Sequence, residues 1–147
     1  MSVQPALAAL VAGQDAAIYA YSVAGAHVAG KGRRKALVGL DAHRMNRERA
    51  ASLIVADAGT PPGSATAYTL PGPVDSPASA RALMALVDNR LVGLYADAAA
   101  SVNGPDRRWA AQTAAECAMR AVGWGAAPQA FPTGPAVSSA GPTPGAG

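Results

Sequence analysis

The chain has 147 residues, of which 50% are hydrophobic, and this length provides one domain with a buried core rather than two. Twelve lysines and arginines stand against nine aspartates and glutamates, and the resulting net charge of +3 is too small to favour binding to nucleic acid. The single cysteine, Cys117, excludes an internal disulfide and a thiolate zinc site, and we expect a cytoplasmic protein.

Two helices are predicted in the first part of the chain. The first extends from about Val3 to Ala29, because its apolar residues recur at steps of three and four, which is typical of a helix with one buried face. The second extends from about Arg33 to Asp57 and ends at Gly59, ahead of two prolines. Only about two or three residues join these helices, so we expect them to be antiparallel neighbours.

The connection from Thr60 to Ser76 is rich in proline and glycine, which helices do not tolerate in their interiors. A helix of about 25 residues is ~38 Å long, whereas a connection of this length reaches ~56 Å when extended. It can therefore span a helical bundle from end to end. We predict two antiparallel hairpins joined by a long crossover, as in ferritin-like four-helix bundles, with the second and third helices parallel.

The second half of the chain contains two more predicted helices and a tail. The third helix begins at Pro77 with Ser76 as its N-cap, since proline suits the first helical position. The fourth extends from about Asp106 to Trp124. We assign residues 1–125 to the bundle and residues 126–147 to a flexible tail, because the tail has no charge and is rich in proline, glycine, alanine and serine.

Polar residues lie on or beside the apolar face of every predicted helix. Acids and arginines on facing helices can neutralise one another, and buried charges that hold no metal generally need such pairing. We therefore predict a structural polar network in the bundle, without a catalytic residue. Its predicted members are Gln14, Asp15, Asp41, His43, Arg44, Arg47, Asp88 and Glu116.

A metal centre is the alternative interpretation of these side chains. Carboxylates and a histidine that converge from several helices can bind iron or manganese, and here the ligands would be Asp15, His43, Asp88 and Glu116. A carboxylate-bridged di-iron bundle, however, uses two Glu-x-x-His pairs, and this sequence contains none. We therefore predict no cofactor and treat iron or manganese as the weaker interpretation.

Several separated sequence segments together resemble a bacterial family of small ferritin-like domains of unknown function. The resemblance covers roughly residues 5 to 125 and implies a ferritin-like four-helix fold, but no activity. It also implies acidic positions at Asp15 and Asp88, both shorter than the glutamate expected there, and matches the family directly at His43, Arg44 and Arg47. The segments are AIYAYSVAGAHV, LDAHRMNRERA, AYTLPGPV, LVDNRLVGLYADA and AAECAMRAVGWG.

The function predicted from these features is association rather than catalysis. The first helix is nearly uncharged, and such a helix is usually either enclosed or shared with another subunit, so we expect a homodimer or a protein partner. The other interpretations are a metal-binding redox or storage protein and a binder of nucleic acid or anionic surfaces. The latter rests on Lys31, Arg33, Arg34 and Lys35. We expect no membrane span, because Gln14 and Asp15 interrupt the apolar N-terminal stretch.

Overall fold

The computed structural model describes residues 4–128, which form four helices and contain no strand. These residues are all-α, as the four predicted helices imply. The helices are α1 (Gln4–Gly25), α2 (Gly30–Ala56), α3 (Pro77–Ser101) and α4 (Gly104–Gly123). The predicted flexible tail, residues 126–147, lies outside the described residues except for its first three.

Helix α1 ends four residues earlier than predicted. It stops at Gly25, and Ala26 and His27 close it by donating backbone hydrogen bonds to Val23 and Ala24. Val28 continues the apolar pattern that predicted a longer helix, and it is buried. It lies in the turn after α1, however, and not in the helix. The turn between α1 and α2 therefore has four residues, 26–29, rather than two or three.

The end of α2 uses an alanine in the conformation that favours glycine. Ala58 has a φ of 58°, in the left-handed region. Its N–H bonds to the carbonyl of Val55, and the N–H of Gly59 bonds to the carbonyl of Ile54, which is the hydrogen-bond pattern of a Schellman motif. Alanine in this conformation carries a steric cost that glycine does not.

We expect Ala58→Gly to stabilise the protein by about 0.5–1 kcal/mol, because the left-handed backbone is then unstrained. Equilibrium unfolding in urea measures the change. Ala82→Gly is the matched control, since it places glycine at an exposed position inside α3, where it should cost about 1 kcal/mol. A loss of stability in both variants would show that the Ala58 backbone is not strained.

Helix α3 begins as predicted. Ser76 has extended backbone angles and its hydroxyl accepts a hydrogen bond from the N–H of Ser79, while the Ser79 hydroxyl accepts one from the N–H of Ser76. Pro77 occupies the first helical position, where no N–H is needed. The reciprocal capping and the proline together fix the point at which the connection becomes helix.

The core lies between helices that pack in three close pairs, α1 with α2, α1 with α3, and α3 with α4. Polar contacts join the ends of α2 and α4. Near the start of α2, Lys35 Nζ donates to the carbonyl of Gly123 at 3.1 Å, and near its other end Arg49 lies 3.6 Å from Asp106. The beginning of α2 is thus beside the end of α4, and the end of α2 is beside the beginning of α4.

The connection between α2 and α3 contacts the bundle at several points along residues 57–76. The carbonyl of Pro62 accepts a hydrogen bond from Arg47, and the Tyr68 ring lies 5.5 Å from that of Tyr19 on α1. Leu70 and Val74 pack partly buried against the core. Tyr68 and Leu70 of the connection therefore lie on the helices.

Helix α1 meets the length and composition of a membrane span over Pro5–Gly25, the one stretch in residues 4–128 that does. An 18-residue window of this stretch is apolar enough to meet the criterion, and 44% of that window is buried inside the bundle. The core helix of a soluble bundle satisfies the same criteria, so this feature is weak evidence for a membrane. The absence of a membrane span and the cytoplasmic location stay predictions.

Candidate functional site

The carboxylate of Asp88 is the centre of the buried polar network. Asp88 lies on α3 and has no solvent exposure. Its Oδ1 is 3.2 Å from His43 Nε2 on α2 and 3.3 Å from Arg120 Nη1 on α4, and its Oδ2 accepts a hydrogen bond from the Tyr21 hydroxyl on α1. One side chain therefore contacts all three of the other helices.

Tyr21 extends this network toward the end of the bundle. Its hydroxyl donates to Asp88 and accepts a hydrogen bond from Trp124 Nε1 at 2.9 Å. Burial, together with the charge of the neighbouring Asp88, raises the pKa of Tyr21 far above its usual value of 10. The phenol therefore stays protonated and holds its hydrogen bond to the carboxylate.

His43 is fully buried beside Asp88 and Tyr21. Its ring meets that of Tyr21 edge to face, with 4.7 Å between centroids. Nε2 is close to Asp88 Oδ1, but the geometry is not that of a well-aligned hydrogen bond, and Nδ1 has no hydrogen-bond partner in the part of the chain that the structure describes. His43 therefore contributes packing and a close electrostatic contact rather than a directed hydrogen bond.

Arg120 supplies the positive charge next to Asp88. The Arg120 side chain is 20% exposed, whereas the Asp88 side chain is fully buried. Burial lowers the pKa of Arg120, but the charge of Asp88 and other neighbouring groups more than offset this effect, so the pKa lies above its usual value. Arg120 therefore stays charged and compensates the buried carboxylate.

Two smaller polar groups flank this centre. The amide of Gln14 donates to the hydroxyl of Tyr95, whose ring meets that of Trp109 edge to face at 5.6 Å. Asp15 Oδ1 accepts a hydrogen bond from Arg47 Nε at 3.0 Å. That hydrogen bond is the main reason why the pKa of Arg47 is raised. The polar side chains of α1 thus form hydrogen bonds with residues of both α2 and α3.

Five of the eight residues predicted for the network make polar contacts inside the bundle, but they do so in three separate groups. Asp88 and His43 meet directly, Asp15 meets Arg47, and Gln14 bonds to a tyrosine. The other three do not join the network: Asp41, Arg44 and Glu116 are exposed.

The prediction that Asp41, Arg44 and Glu116 face the core is wrong. Asp41 and Arg44 lie 3.8 Å apart on the surface and are 75% and 57% exposed. In α2, Arg44 is turned about 100° and Asp41 about 200° away from the buried His43, since successive residues are about 100° apart. Glu116 is turned by the same ~100° away from the buried Cys117.

The residues that the sequence interpretation missed are Tyr21, Tyr95, Arg120 and Trp124 as hydrogen-bonding members of the network. Tyr21 lies in the first predicted helix, but its polar contacts were not predicted. Arg120 had a usable signal, because it follows the buried Thr113 by seven residues and Cys117 by three, and so lies on the same side of α4. The hydrogen-bond partners of Tyr21 and Tyr95 are distant in sequence, so no local pattern could predict them.

The proposed metal ligands do not converge. Asp15 is paired with Arg47, and Glu116 is exposed, so neither lies with the Asp88–His43 pair. Within residues 4–128, no group of three or more histidine, cysteine, aspartate or glutamate side chains is placed to hold a metal ion. The positive charge beside Asp88 is the guanidinium of Arg120.

Cys117 has the environment of a buried structural residue. Its sulfur is 3.9 Å from Arg120 Nη1. Burial is the main cause that raises the pKa of the thiol to about 12, and the charge of Asp88 adds to it. The reactive thiolate is therefore absent at neutral pH, and the side chain fills space as a small hydrophobic group.

We expect Tyr21 and Tyr95 to ionise only when the protein unfolds in alkali. Burial raises the pKa of both phenols, so the folded state keeps protons that the unfolded chain loses near pH 10. Their contribution to stability is complete below pH 10 and falls as the pH rises above it. Absorbance at 295 nm should show a tyrosinate phase that coincides with loss of helical circular dichroism.

The variant Tyr21→Phe should halve the amplitude of that phase, because one of the two late tyrosines is removed. Tyr68→Phe serves as the control at a partly exposed ring and should leave the phase unchanged. Ionisation of all tyrosines before the loss of helix would contradict the buried positions of Tyr21 and Tyr95.

Comparison with known proteins gives a family and a fold. A family model described as a domain of unknown function, DUF4439, matches residues 6–136. The structure is similar to the crystal structure of a conserved hypothetical protein, rv2844, from Mycobacterium tuberculosis, with 26% sequence identity and a TM-score of 0.79. That similarity covers 83% of this chain and 93% of the other. Among curated proteins, none matches this chain significantly.

Proposed function

We propose that this chain, which belongs to the DUF4439 family of domains of unknown function, is a non-catalytic ferritin-like bundle that acts by pairing with a second copy of itself. The observation that carries the proposal is an apolar groove on the outer side of α3 and α4, next to an exposed methionine. The burial of the polar network around Asp88 supports the proposal that the protein is non-catalytic.

The ferritin-like topology is supported by the contacts at the helix ends. α2 and α4 are antiparallel, because Lys35 near the start of α2 contacts Gly123 at the end of α4, and Arg49 near the end of α2 contacts Asp106 at the start of α4. Only Val102 and Asn103 separate α3 from α4. The start of α2 at Gly32 is also close to Arg81 at the start of α3. In this topology α2 and α3 are parallel, and the connection between them travels the length of the bundle.

The non-catalytic assignment is supported by the enclosure of the polar network. Asp88 and His43 have no solvent exposure, so a substrate cannot approach either side chain without opening the bundle. The phenol of Tyr21 and the thiol of Cys117 keep their protons, because their pKa values are raised. General bases and nucleophiles need accessible groups with pKa values near the working pH.

The groove supports self-association through its chemistry. It has a volume of about 570 Å³ and contains no charged side chain. Half of the lining residues are alanines, which permit another helix to approach closely. They are Asn89, Val92 and Ala96 of α3, Ala114, Ala115, Ala118, Met119 and Val122 of α4, and the following Ala127 and Pro128.

A second copy fits this surface better than an unrelated partner does, because the surface carries both halves of a contact. Met119 is 74% exposed and is one of the residues that line the groove. In a twofold dimer the Met119 of each chain enters the groove of the other, as a self-complementary interface requires. α3 and α4, about 38 Å and about 30 Å long, provide a face on the scale of stable interfaces, which bury ~800 Å² per partner.

The test is sedimentation velocity at micromolar concentration on the wild type and two variants. We expect the wild type to sediment with twice the mass of the chain. Met119→Glu should weaken the dimer by about tenfold or more, because it buries an unpaired charge in the interface. Met45→Glu is the matched control, since Met45 is 73% exposed on α2, away from the groove.

A wild type that remains monomeric at these concentrations would overturn self-association. A dimer that Met45→Glu disrupts and Met119→Glu leaves intact would place the interface on α2 instead, and would overturn the assignment to the α3–α4 groove.

A further inference from the structure

A second cleft, separate from the α3–α4 groove, lies between the first turns of α2 and the end of α4. It has a volume of about 460 Å³. Its lining combines four positively charged side chains with an indole ring and has no acidic residue. The lining residues are Lys31, Arg34, Lys35, Val38, Gly39, Arg120 and Trp124.

The charges of this cleft are only partly compensated. Asp88 neutralises Arg120 from the buried side. For Lys31, Arg34 and Lys35, no salt bridge to an acidic residue is found among residues 4–128. The first turn of α2 contains no acidic residue, and its N-cap, Ala29, makes no side-chain hydrogen bond. The positive end of the helix dipole therefore adds to the positive potential of the side chains.

Two of the cations are held in place before any ligand arrives. Lys35 Nζ donates to the carbonyl of Gly123 and lies 4.5 Å from the centroid of the Trp124 ring. Arg120 contacts Asp88 and Cys117 through Nη1, which leaves Nε and Nη2 as donors for another acceptor. Ordered donors lose little conformational entropy on binding an anion.

The apolar part of the cleft sets the size and shape of the ligand. Trp124 is held by its hydrogen bond to the buried Tyr21, and Val38 is 70% exposed beside it. Trp124 is itself only 4% exposed and its ring lies under Lys35 Nζ, so Val38 supplies the exposed apolar surface on which a ligand body packs, next to the cations. Inorganic phosphate alone would leave this apolar surface uncovered.

We propose that this cleft binds a small organic anion, in which a carboxylate or phosphate group contacts Lys31, Arg34 and Arg120 and an aromatic or aliphatic body packs on Val38. The four cations converge on one concave surface instead of extending along a face, which fits a compact ligand better than a nucleic acid backbone. This site is independent of the dimer contact proposed above.

Isothermal titration calorimetry with four probes tests the proposal. The probes are phenyl phosphate, benzoate, the neutral benzyl alcohol and inorganic phosphate. We expect phenyl phosphate or benzoate to bind with one site per chain. Benzyl alcohol and inorganic phosphate should bind more weakly by at least about tenfold. Each weak probe lacks one of the two parts of the proposed ligand.

Charge reversal at one position distinguishes the cleft from general attraction to a basic protein. Arg34→Glu should weaken binding of the aromatic anion by about tenfold or more, because it places a negative charge against the ligand. Arg108→Glu is the matched control, since it makes the same change in net charge at an exposed position near the start of α4. It should change the affinity by less than about twofold.

Three outcomes would overturn the proposal. The first is no saturable binding of either aromatic anion at millimolar concentration. The second is an equal loss in Arg34→Glu and Arg108→Glu, which would indicate attraction by net charge alone. The third is tighter binding of a short single-stranded oligonucleotide that Arg34→Glu abolishes, which would assign the cleft to nucleic acid.

Discussion

Asp88→Ala is expected to lower the free energy of unfolding by about 3–5 kcal/mol, the cost of removing one partner from a buried charge pair. The substitution leaves Arg120 without its compensating charge and leaves the Tyr21 hydroxyl without its acceptor. It also removes the side chain that contacts α1, α2 and α4 at once. Urea unfolding followed by circular dichroism measures the loss.

Asp97→Ala is the control for this effect. Asp97 lies on the same helix but is exposed, so its removal should change stability by less than about 0.5 kcal/mol. Asp88→Asn should lie between the two, because an amide keeps the shape and an acceptor oxygen but loses the charge. An Asp88→Ala protein as stable as the Asp97→Ala protein would show that the buried carboxylate stabilises nothing.

Gly39→Ala is expected to destabilise the protein by about 1–3 kcal/mol, although alanine is the better helix former. A Cβ at this position of α2 would lie 2.5 Å from Cε1 of the Tyr21 ring. That ring cannot move aside freely, since its hydroxyl is bonded to Asp88 and Trp124 in the core. The steric effect therefore exceeds the gain of about 1 kcal/mol from helix propensity.

Gly93→Ala provides the matched comparison. Gly93 lies inside α3 with no atom within 4 Å of an added Cβ, so only propensity acts, and the variant should be more stable by about 1 kcal/mol. Opposite signs for the two substitutions are the expected result. A stabilising Gly39→Ala would mean that α1 and α2 do not approach as closely at Tyr21 as described.

The sequence predicted the helices better than their ends. Local signals are strong where a cap is made by neighbouring residues, as for Ser76 and Pro77 at the start of α3. They mislead where a buried residue lies outside a helix, as Val28 does, because an apolar pattern reports burial and not backbone conformation.

The candidate site could be predicted only in part, for a geometric reason. Helical periodicity correctly places His43 and Asp88 in the core, but it does not give the width of the buried face. Arg44 and Glu116 each lie about 100° from a buried neighbour, which is enough to reach solvent. The pairing of Asp88 with Arg120 joins residues 32 apart in sequence, and that of Tyr21 with Trp124 joins residues 103 apart.

A double-mutant cycle between Asp88 and Arg120 tests most directly the claim that one charge-compensated carboxylate holds the helices together. The measurement is the free energy of unfolding of the wild type, Asp88→Asn, Arg120→Met and the double variant. We predict a coupling energy of about 1.5–3 kcal/mol, as for hydrogen bonds to charged groups and for residues in one network. A coupling within ~0.5 kcal/mol of zero would mean that the two residues act independently, and would contradict the account.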